Sequence, residues 1–436
     1  MRRNNFQIAA GYMLALVGLL FALAAGASAA SKEKVIYSFT GGSDGAYPYS
    51  DLVADAAGNL YGTTNQGGTG TGCGSSGCGT VFELTRTKDG WKYQVLYSFT
   101  GGSDGGFPQT GLTWDSAGNL YGTTAGGGAY EWGTVFELSP NGQGGWTENT
   151  LHSFAHGEGS SPAADLVFDD EGNLYGANSG GGSGGTSCNE NGCGTVFELT
   201  PQSGGSWTET TIHVFQPRSS DGLVPSSGVI LDSNGNLYGM TEYGGTGSCL
   251  NGASGCGTIY EFSPAGGGTW TETILYNFNR GCAQGVYPSG GVFMDKAGEF
   301  LGTSQAGGDG LGTVFELRNS QKNGWQQSNP HLFYGSPDGS IPVGSLLVRA
   351  EDAFVGVTSS GGATQTGTVF ELRHSKNGWQ EKILHSFGGS GDGATPQAGL
   401  VSGSEGHLYG TTQYGGSGNC SQNTGSGCGT VYMVTP

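Results

Sequence analysis

Short runs of β-branched and aromatic residues recur along the chain and are separated by stretches rich in Gly, Asn and Asp. Such runs predict β-strands bounded by turns. After the first thirty residues, no apolar pattern keeps the 3.6-residue period of a helix. The first complete group of strands is strand A at Asp51 to Asp55, strand B at Asn59 to Thr64, strand C at Gly79 to Leu84 and strand D at Trp91 to Phe99.

This four-strand unit recurs seven times. Val-Ile-Tyr-Ser-Phe at 35–39 returns as Val-Leu-Tyr-Ser-Phe at 95–99, and Gly-Thr-Val-Phe-Glu-Leu at 79–84 returns at 133–138. Each strand A follows a proline, with a mean spacing of about 58 residues: Pro48, Pro108, Pro162, Pro225, Pro288, Pro342 and Pro396. The repeats are expected at about 35–94, 95–149, 150–210, 211–273, 274–328, 329–382 and 383–436. The pattern predicts an all-β, seven-bladed β-propeller with four-stranded antiparallel blades.

The phase of the repeats distinguishes a closed ring from an open solenoid. The first predicted strand, Val35 to Phe39, is a lone strand D, and the last, Gly429 to Val434, is a strand C. In a closed ring these two strands pair, and no sheet edge is left unpaired. In an open solenoid they would lie at opposite ends, so starting at strand D and ending at strand C would bring no added pairing. We therefore expect residues 30–436 to form a single propeller, closed by the N-terminal strand in the last blade.

The first 29 residues differ from the rest of the chain. Arg2 and Arg3 precede an apolar stretch at 8–25, and Ala27-Ser28-Ala29 provides the small residues that precede a signal-peptidase cut. This layout predicts a cleaved secretory signal peptide at 1–29, and a permanent membrane anchor is the alternative. We expect a secreted protein, extracellular or periplasmic, with no membrane insertion after cleavage.

Cysteine spacing agrees with an oxidising destination. Eight of the nine cysteines form close pairs, and each pair ends directly before a Gly-Thr: Cys73 and Cys78, Cys188 and Cys193, Cys249 and Cys256, and Cys420 and Cys428. The pairs predict local disulfides that restrain loops. Zinc ligation is the alternative, but it favours shorter gaps and neighbouring histidines. Cys282 is left as a free thiol.

Charge restricts the classes of partner. The net charge is −19, with 35 acidic and 16 basic residues. A surface this negative repels phosphate backbones and anionic lipids, which argues against nucleic-acid and peripheral membrane binding. The expected partner is a polysaccharide or a cell-envelope protein, and the expected state is a monomer.

Candidate ligand-binding residues lie in the D-to-A and B-to-C connections, which emerge together on one face of a blade; we call it the loop face. The residue before a loop glycine is acidic in six copies and is Gln284 in the fifth. The six are Asp44, Asp104, Glu158, Asp221, Asp338 and Asp392. These carboxylates could bind Ca²⁺ or another ligand. The alternative is a structural role, in which Asp-Gly forms a tight turn before strand A. Tyr130 and Trp132 are not repeated and suit either stacking on a sugar ring or packing over a neighbouring blade.

Other polar residues repeat too regularly to be unique catalytic groups. Six copies carry a Glu in strand C, which indicates a structural role. Four histidines replace a strand D tyrosine, which favours half-buried rings over metal ligands: His152, His213, His331 and His385. The sequence thus offers no catalytic residues and, apart from possible calcium, no cofactor. A binding or structural module is the first hypothesis.

An extracellular hydrolase or lyase, with its site at the mouth of the central channel, is the second hypothesis. It requires polar residues that break the repeat. The irregular sixth copy has Arg349, Glu351 and Asp352 in place of Asp-x-x-Gly-Asn, but these residues fall on the face opposite the loop face.

Three motifs together, Trp-Thr-Glu-x-x-Leu-Tyr-Ser-Phe, Gly-Asn-Leu-Tyr-Gly-Thr-Thr and Gly-Thr-Val-Phe-Glu-Leu, carry a family resemblance. The chain resembles the GloVer tandem repeat of secreted bacterial proteins over roughly 35–436. The resemblance implies a propeller-like fold and no established activity, and it supplies no catalytic residues.

Overall fold

A computed structural model describes most of the chain after the predicted signal peptide. The described residues are 32–162, 165–182, 188, 192–217, 220–247, 249, 255–279, 285–307, 310–320, 322, 324–350, 352–388, 391–422 and 425–436. The predicted signal peptide, Cys282, Gln284 and Glu351 lie outside them.

The strands, numbered in chain order, form seven antiparallel sheets arranged as the blades of a propeller. The first strand, β1 (Lys32–Ser38), belongs to the seventh blade. The first blade contains β2 (Val53–Ala54), β3 (Leu60–Thr64), β4 (Thr80–Thr87) and β5 (Gly90–Ser98). The second contains β6 (Thr113–Trp114), β7 (Leu120–Thr124), β8 (Thr134–Pro140) and β9 (Trp146–Ser153).

The next three blades split strand A into two short pieces. The third contains β10 (Ser160–Pro162), β11 (Val167–Phe168), β12 (Leu174–Gly180), β13 (Thr195–Pro201) and β14 (Trp207–Val214). The fourth contains β15 (Gly222–Pro225), β16 (Ile230–Leu231), β17 (Leu237–Gly244), β18 (Thr258–Gly266) and β19 (Thr269–Asn277). The fifth contains β20 (Gly285–Pro288), β21 (Phe293–Met294), β22 (Phe300–Gly307), β23 (Thr313–Ser320) and β24 (Gly324–Leu332).

The last two blades complete the ring. The sixth contains β25 (Gly339–Ala350), β26 (Ala353–Gly361), β27 (Thr368–Ser375) and β28 (Gly378–Ser386). The seventh contains β30 (Val401–Ser402), β31 (Leu408–Thr412), β35 (Thr430–Thr435) and β1. Two small ladders accompany it, namely β29 (Gly393–Ala394) with β32 (Tyr414–Gly415), and β33 (Ser421–Gln422) with β34 (Gly425–Ser426). None of the described residues forms a helix that could cross a membrane.

The N-terminal strand closes the ring as predicted. Strand β1 pairs antiparallel with β35, with Lys32 opposite Thr435 and Ser38 opposite Thr430. The order within the seventh blade is β30, β31, β35, β1, so β1 takes the strand D position. The pairing confirms the seven-bladed, closed architecture and satisfies the backbone of a strand that would otherwise form an open edge.

In the first blade, strand A pairs over a shorter range than predicted, because its first half turns toward the central channel. Only Val53 and Ala54 pair with β3. Nearer the start of strand A, the Ser50 hydroxyl accepts a hydrogen bond from the Thr63 N–H at 3.2 Å. This side-chain hydrogen bond takes the place of a backbone hydrogen bond between strands A and B. The segment after Pro48 is therefore free to line the channel.

The core consists of seven clusters of buried apolar side chains among the described residues, one between each adjacent pair of blades. Between the first and second blades, Val81 and Phe99 pack with Leu120 and Phe136, all fully buried. The last residue of the predicted strand D is a fully buried phenylalanine in every copy: Phe39, Phe99, Phe154, Phe215, Phe278, Phe333 and Phe387. Blade-on-blade packing thus provides most of the apolar burial that stabilises the fold.

Candidate binding site at the mouth of the central channel

The loop face is built by a backbone link that joins each blade to the one before it. The residue before each strand A proline has a positive φ of 51° to 59°: Tyr47, Phe107, Ser161, Val224, Tyr287, Ile341 and Thr395. Its N–H donates to a carbonyl of the preceding blade at 2.8–3.1 Å, as Tyr47 does to Cys428. Branched side chains rarely adopt this conformation, so the sevenfold recurrence shows that the fold imposes it.

The residues just after these prolines line a central channel with a volume of about 230 Å³. Ser, Thr, Gln and Gly predominate: Tyr49 to Asp51, Gln109 to Gly111, Asp165, Ser226 to Gly228, Ser289, Gly291, Val343 to Ser345 and Gln397, together with Gln305 from strand B. Apart from Val343 and Tyr49 the wall is small or polar. The channel therefore suits a hydrated, polar ligand rather than an apolar one.

Two carboxylates in this wall break the repeat. The third position after the proline is Asp51 in the first copy and Asp165 in the third, but it is Gly or Ser in the others. The Asp51 Oδ1 accepts the Gly399 N–H at 2.5 Å, and the Asp165 Oδ1 accepts the Gly111 N–H at 2.5 Å. A Cβ on Gly111 would lie 2.8 Å from an Asp165 oxygen, so each Asp requires a small residue on the preceding blade.

The channel changes the acidity of this pair. Both side chains are in contact with the channel, but protein surrounds them and limits their hydration. Burial raises the pKa of Asp51 to about 7, with a further increase from the negative charge of Asp165. Burial likewise raises the pKa of Asp165. The two carboxyl groups therefore titrate as an interacting pair, and burial favours the protonated form of each.

Neither Asp51 nor Asp165 is among the candidates predicted from the sequence. The sequence does mark them in one way: they are aspartates at a position that is Gly or Ser in the other five copies. That signal shows an irregularity, but not that the first and third blades present both groups to the same channel.

Beside the channel is a cleft of about 210 Å³ lined by aromatic and amide side chains: Tyr47, Tyr49, Asn65, Gln66, Gln109, Gln413 and Tyr414. Tyr49 is 37 % exposed, and Tyr47 meets Tyr414 edge-on with ring centroids 5.7 Å apart. The cleft and the channel share Tyr49 and Gln109. Together they form one continuous surface, which we call the channel mouth.

The carboxylates predicted to bind ligand hold their own loops. Asp44 accepts hydrogen bonds from the Tyr37 hydroxyl at 3.0 Å and from the Thr40 N–H at 2.8 Å. Asp104 repeats this arrangement, and the N–H groups of Gln216, Tyr334 and Gly388 donate in the same way to Asp221, Asp338 and Asp392. The turn role accounts for these contacts, and ligand or calcium binding by these residues stays a prediction.

Where strand D carries histidine instead of tyrosine, the ring faces two carboxylates from different segments. One carboxylate comes from the following D-to-A loop and one from strand D of the next blade. The four groups are His152, Glu158 and Glu209; His213, Asp221 and Glu272; His331, Asp338 and Glu381; and Glu33, His385 and Asp392. The rings are half-buried, as predicted.

Of the two predicted aromatic candidates, one is exposed and one is packed. Tyr130 is 59 % exposed on the loop face. Trp132 packs edge-on against His156 at 4.7 Å and joins the cluster between the second and third blades. Sugar stacking by Tyr130 or Trp132 stays a prediction.

The four predicted disulfides are confirmed, namely Cys73–Cys78, Cys188–Cys193, Cys249–Cys256 and Cys420–Cys428. Each closes a B-to-C loop. A Cβ on Gly101 would lie 2.6 Å from the Cys73 Sγ and 2.7 Å from the Cys78 Sγ, so the bridge packs directly on the next D-to-A loop. Disulfides in the described residues indicate folding outside the cytoplasm.

The repeated glutamate of strand C has the structural role that its recurrence predicts. The Tyr61 hydroxyl lies 3.0 Å from Glu83 and 3.2 Å from Asp55, and this contact ties strands A, B and C together. In the sixth blade Val355 replaces the tyrosine, and Arg373 pairs with Glu371 at 2.8 Å instead. Arg349 lies 3.9 Å from Glu371, on the face opposite the loop face.

A groove also lies on this opposite face, between the fifth and sixth blades. It has a volume of about 790 Å³ and is lined by Glu316, Arg318, Arg349 and Trp379 among others. Leu301 lines it in place of the repeated tyrosine of strand B. In this groove Arg318 pairs with Glu299 at 3.1 Å and with Glu316 at 2.8 Å.

Of three similar solved structures, the first supports the fold alone. A fungal alcohol oxidase of the AA5 family, in complex with copper, is 14 % identical, with a TM-score of 0.54, over 93 % of this chain and 77 % of that chain. A putative oxidoreductase (glucose dehydrogenase) from Thermus thermophilus is 15 % identical, with a TM-score of 0.41, over 74 % and 95 % of the two chains. A protein of unknown function from Dyadobacter fermentans is 12 % identical, with a TM-score of 0.40, over 81 % and 98 %. No curated protein matches significantly.

The family comparison is more specific. The model of the Gloeobacter/Verrucomicrobia repeat matches residues 15–250 and again residues 187–424, which together span most of the sequence. The match includes all seven strand A prolines and both channel carboxylates. The chain therefore belongs to the Gloeobacter/Verrucomicrobia repeat family.

Proposed function

We propose that this protein is an extracellular binding module that holds a neutral polysaccharide at the channel mouth. The disulfides, the repeat family and the propeller fold support an extracellular module. The rigid blades fix the loops that line the channel mouth, and binding surfaces are commonly built on such loops.

The observation that carries the proposal is the side-chain chemistry of the cleft. Tyrosine rings offer flat apolar faces for the C–H face of a sugar, and the amides of Asn65, Gln109 and Gln413 both donate and accept hydrogen bonds. Sugar hydroxyls have the same dual capacity. A surface with aromatic rings and amides side by side therefore complements a glycan.

Charge favours an uncharged glycan over an acidic one. The chain carries a net charge of −19, and two of its acidic residues, Asp51 and Asp165, lie in the channel itself. A polyanion would be repelled on approach and would place its own charge near buried carboxylates. Neutral glucans, mannans or galactans avoid both costs.

A glycan array followed by titration calorimetry on residues 30–436 tests the proposal. Tyr49→Ala and Gln109→Ala should each weaken binding by about fivefold, because each removes a contact worth on the order of 1 kcal/mol. Tyr334→Ala is the matched control, since Tyr334 is 59 % exposed and does not line the channel mouth. Equal affinity in all four proteins, or no binding to any neutral glycan, would contradict the proposal.

A hydrolase is the second candidate, and the Asp51–Asp165 pair favours it. Glycoside hydrolysis uses one protonated and one ionised carboxyl group. Burial raises the pKa of Asp51 to about 7 and raises the pKa of Asp165 as well, which favours a protonated carboxyl group in the channel. The test is turnover of a neutral glycan panel by the wild type, Asp51→Asn and Asp165→Asn. Turnover that either variant abolishes would support the hydrolase, and a wild type that turns over no substrate would exclude it for that panel.

A further inference from the structure

We propose that the interface between the third and fourth blades is a binding site for a divalent transition-metal ion such as Zn²⁺. Its ligands would be the His213 Nε2 and the carboxylates of Asp221 and Glu272. The three residues come from separate segments: β14, the loop before β15, and β19 of the next blade.

The distances between the groups match those within a metal site. The His213 Nε2 lies 3.4 Å from the Asp221 Oδ2 and 3.8 Å from the Glu272 Oε1. The three ligand atoms of this group lie within 4.8 Å of one another. In a tetrahedral site with bonds of about 2.0–2.1 Å, neighbouring ligand atoms are roughly 3.3 Å apart. The two distances from the His213 Nε2 are therefore close to the separation expected for ligands of a shared ion.

The strongest independent observation is a set of buried polar atoms without hydrogen bonds. The His213 Nε2, the Asp221 Oδ1 and the Glu272 Oε1 are each inaccessible to solvent and make no regular hydrogen bond, and without a metal ion only a proton held by Glu272 joins it to Asp221. Buried polar atoms in native proteins nearly always have partners, so three such atoms in one place require an explanation. A cation bound between them would satisfy all three at once.

The histidine ring is held in the orientation that the proposal needs. It packs on Phe215 with centroids 4.7 Å apart and on Phe262 at 5.1 Å. The side chains of His213 and Asp221 are 21 % and 12 % exposed. The Nε2 therefore points at the carboxylates without freedom to turn toward solvent.

The interface between the first and second blades shows the alternative to this arrangement. There Tyr97 takes the histidine position, its hydroxyl donates to Asp104 at 3.0 Å, and Glu148 takes the position of Glu272. The Tyr97 phenol therefore satisfies the loop carboxylate directly, whereas the His213 Nε2 makes no regular hydrogen bond to Asp221. Imidazole with carboxylate ligands suits Zn²⁺, Mn²⁺ or Fe²⁺.

Zinc binding by residues 30–436 tests the proposal directly. The protein is stripped with a chelator, titrated with Zn²⁺ by calorimetry and then desalted for metal analysis. The key variant is His213→Tyr, which reproduces the Tyr–Asp–Glu combination of the first interface and should fold. His374→Tyr is the control, because His374 is exposed and belongs to none of the four groups.

We expect His213→Tyr to bind one Zn²⁺ fewer than the wild type, with a smaller rise in melting temperature on adding Zn²⁺. His374→Tyr should match the wild type. Zn²⁺ bound at the other three histidine groups would be common to all these proteins and would leave the difference of one ion unchanged. Equal Zn²⁺ content in wild type and His213→Tyr would overturn the proposal.

Two further measurements guard against misfolding and non-specific binding. Glu272→Gln should also lose one Zn²⁺, and it is expected to fold because Gln327 occupies the same position in the fifth blade. Mg²⁺ at the same concentration should not displace the bound Zn²⁺, since it binds imidazole poorly. Retention of the full Zn²⁺ content by Glu272→Gln, or displacement by Mg²⁺, would likewise count against the site.

Discussion

Val35 pairs with Tyr432, so strands from opposite ends of the sequence lie side by side in the seventh blade. Tyr432 is fully buried and sits in the cluster between the sixth and seventh blades. The same N-terminal segment places Phe39 in the cluster between the seventh and first blades. Ring closure therefore depends on backbone pairing and on side chains packed at two interfaces.

Removing the closing strand should destabilise the whole propeller. A chain that starts at residue 40 leaves β35 as an open edge and loses the fully buried Phe39. The free energy of unfolding should fall by at least about 3 kcal/mol, with added self-association through the exposed edge. Thermal melting and light scattering, compared with a chain that starts at residue 30, check this. Identical melting curves would show that closure contributes nothing.

The glycine of the Leu-Tyr-Gly-Thr-Thr motif should be intolerant of a methyl group. A Cβ on Gly62 would lie 2.8 Å from both the Leu52 Cδ2 and the Phe82 Cζ. We expect Gly62→Ala to lower the free energy of unfolding by about 1–3 kcal/mol through overpacking.

Gly157→Ala is the matched control, because no heavy atom lies within 4 Å of its added Cβ. It should change stability by less than about 0.5 kcal/mol. Chemical denaturation measures both variants. Equal effects would mean that packing against Phe82 does not explain the motif.

The disulfides should restrain single loops. Non-reducing peptide mapping should recover four bridges, each within one B-to-C loop. Replacing both Cys73 and Cys78 by Ser should cost about 2 kcal/mol, because the closed loop spans only a few residues. A peptide joining cysteines of two different repeats would contradict this pairing.

Because of Glu148, the free energy of unfolding should fall as the pH rises from about 4.5 to 7. Burial raises its pKa to about 7, the Thr150 hydroxyl opposes the shift, and the charge of Asp104 adds to it. The folded state thus binds more protons than the unfolded state between about pH 4.5 and 7, and stability declines over that window. Tyr97 also faces this group.

Glu148→Gln should remove this decline, and Gln327 shows that the position accepts glutamine. Between pH 4.5 and 8, the free energy of unfolding of the variant should rise by roughly 1–2 kcal/mol relative to that of the wild type. This energy is discounted because part of the Glu148 carboxyl group is exposed to solvent. Denaturation at several pH values measures this. The exposed-site variant Glu171→Gln should follow the wild type, and parallel pH profiles for all three proteins would refute the assignment.

Local sequence determined the architecture. Each repeat carries its own strands, turns and buried glycine, and threonine pairs such as Thr64 with Thr80, whose hydroxyls are 2.8 Å apart, lie within one blade. The disulfides likewise join residues five to eight positions apart. These contacts are short in sequence, so their patterns can be recognised without knowledge of the whole ring.

Only the tertiary structure decided which polar groups meet. Asp51 and Asp165 share the channel because all seven strand A segments converge on one axis, and His213 meets Glu272 because adjacent blades face each other. The loop carboxylates turn inward because backbone N–H groups of their own loops need acceptors. Within a blade the chain itself brings partners together, whereas contacts across the axis and between blades exist only once the ring is assembled.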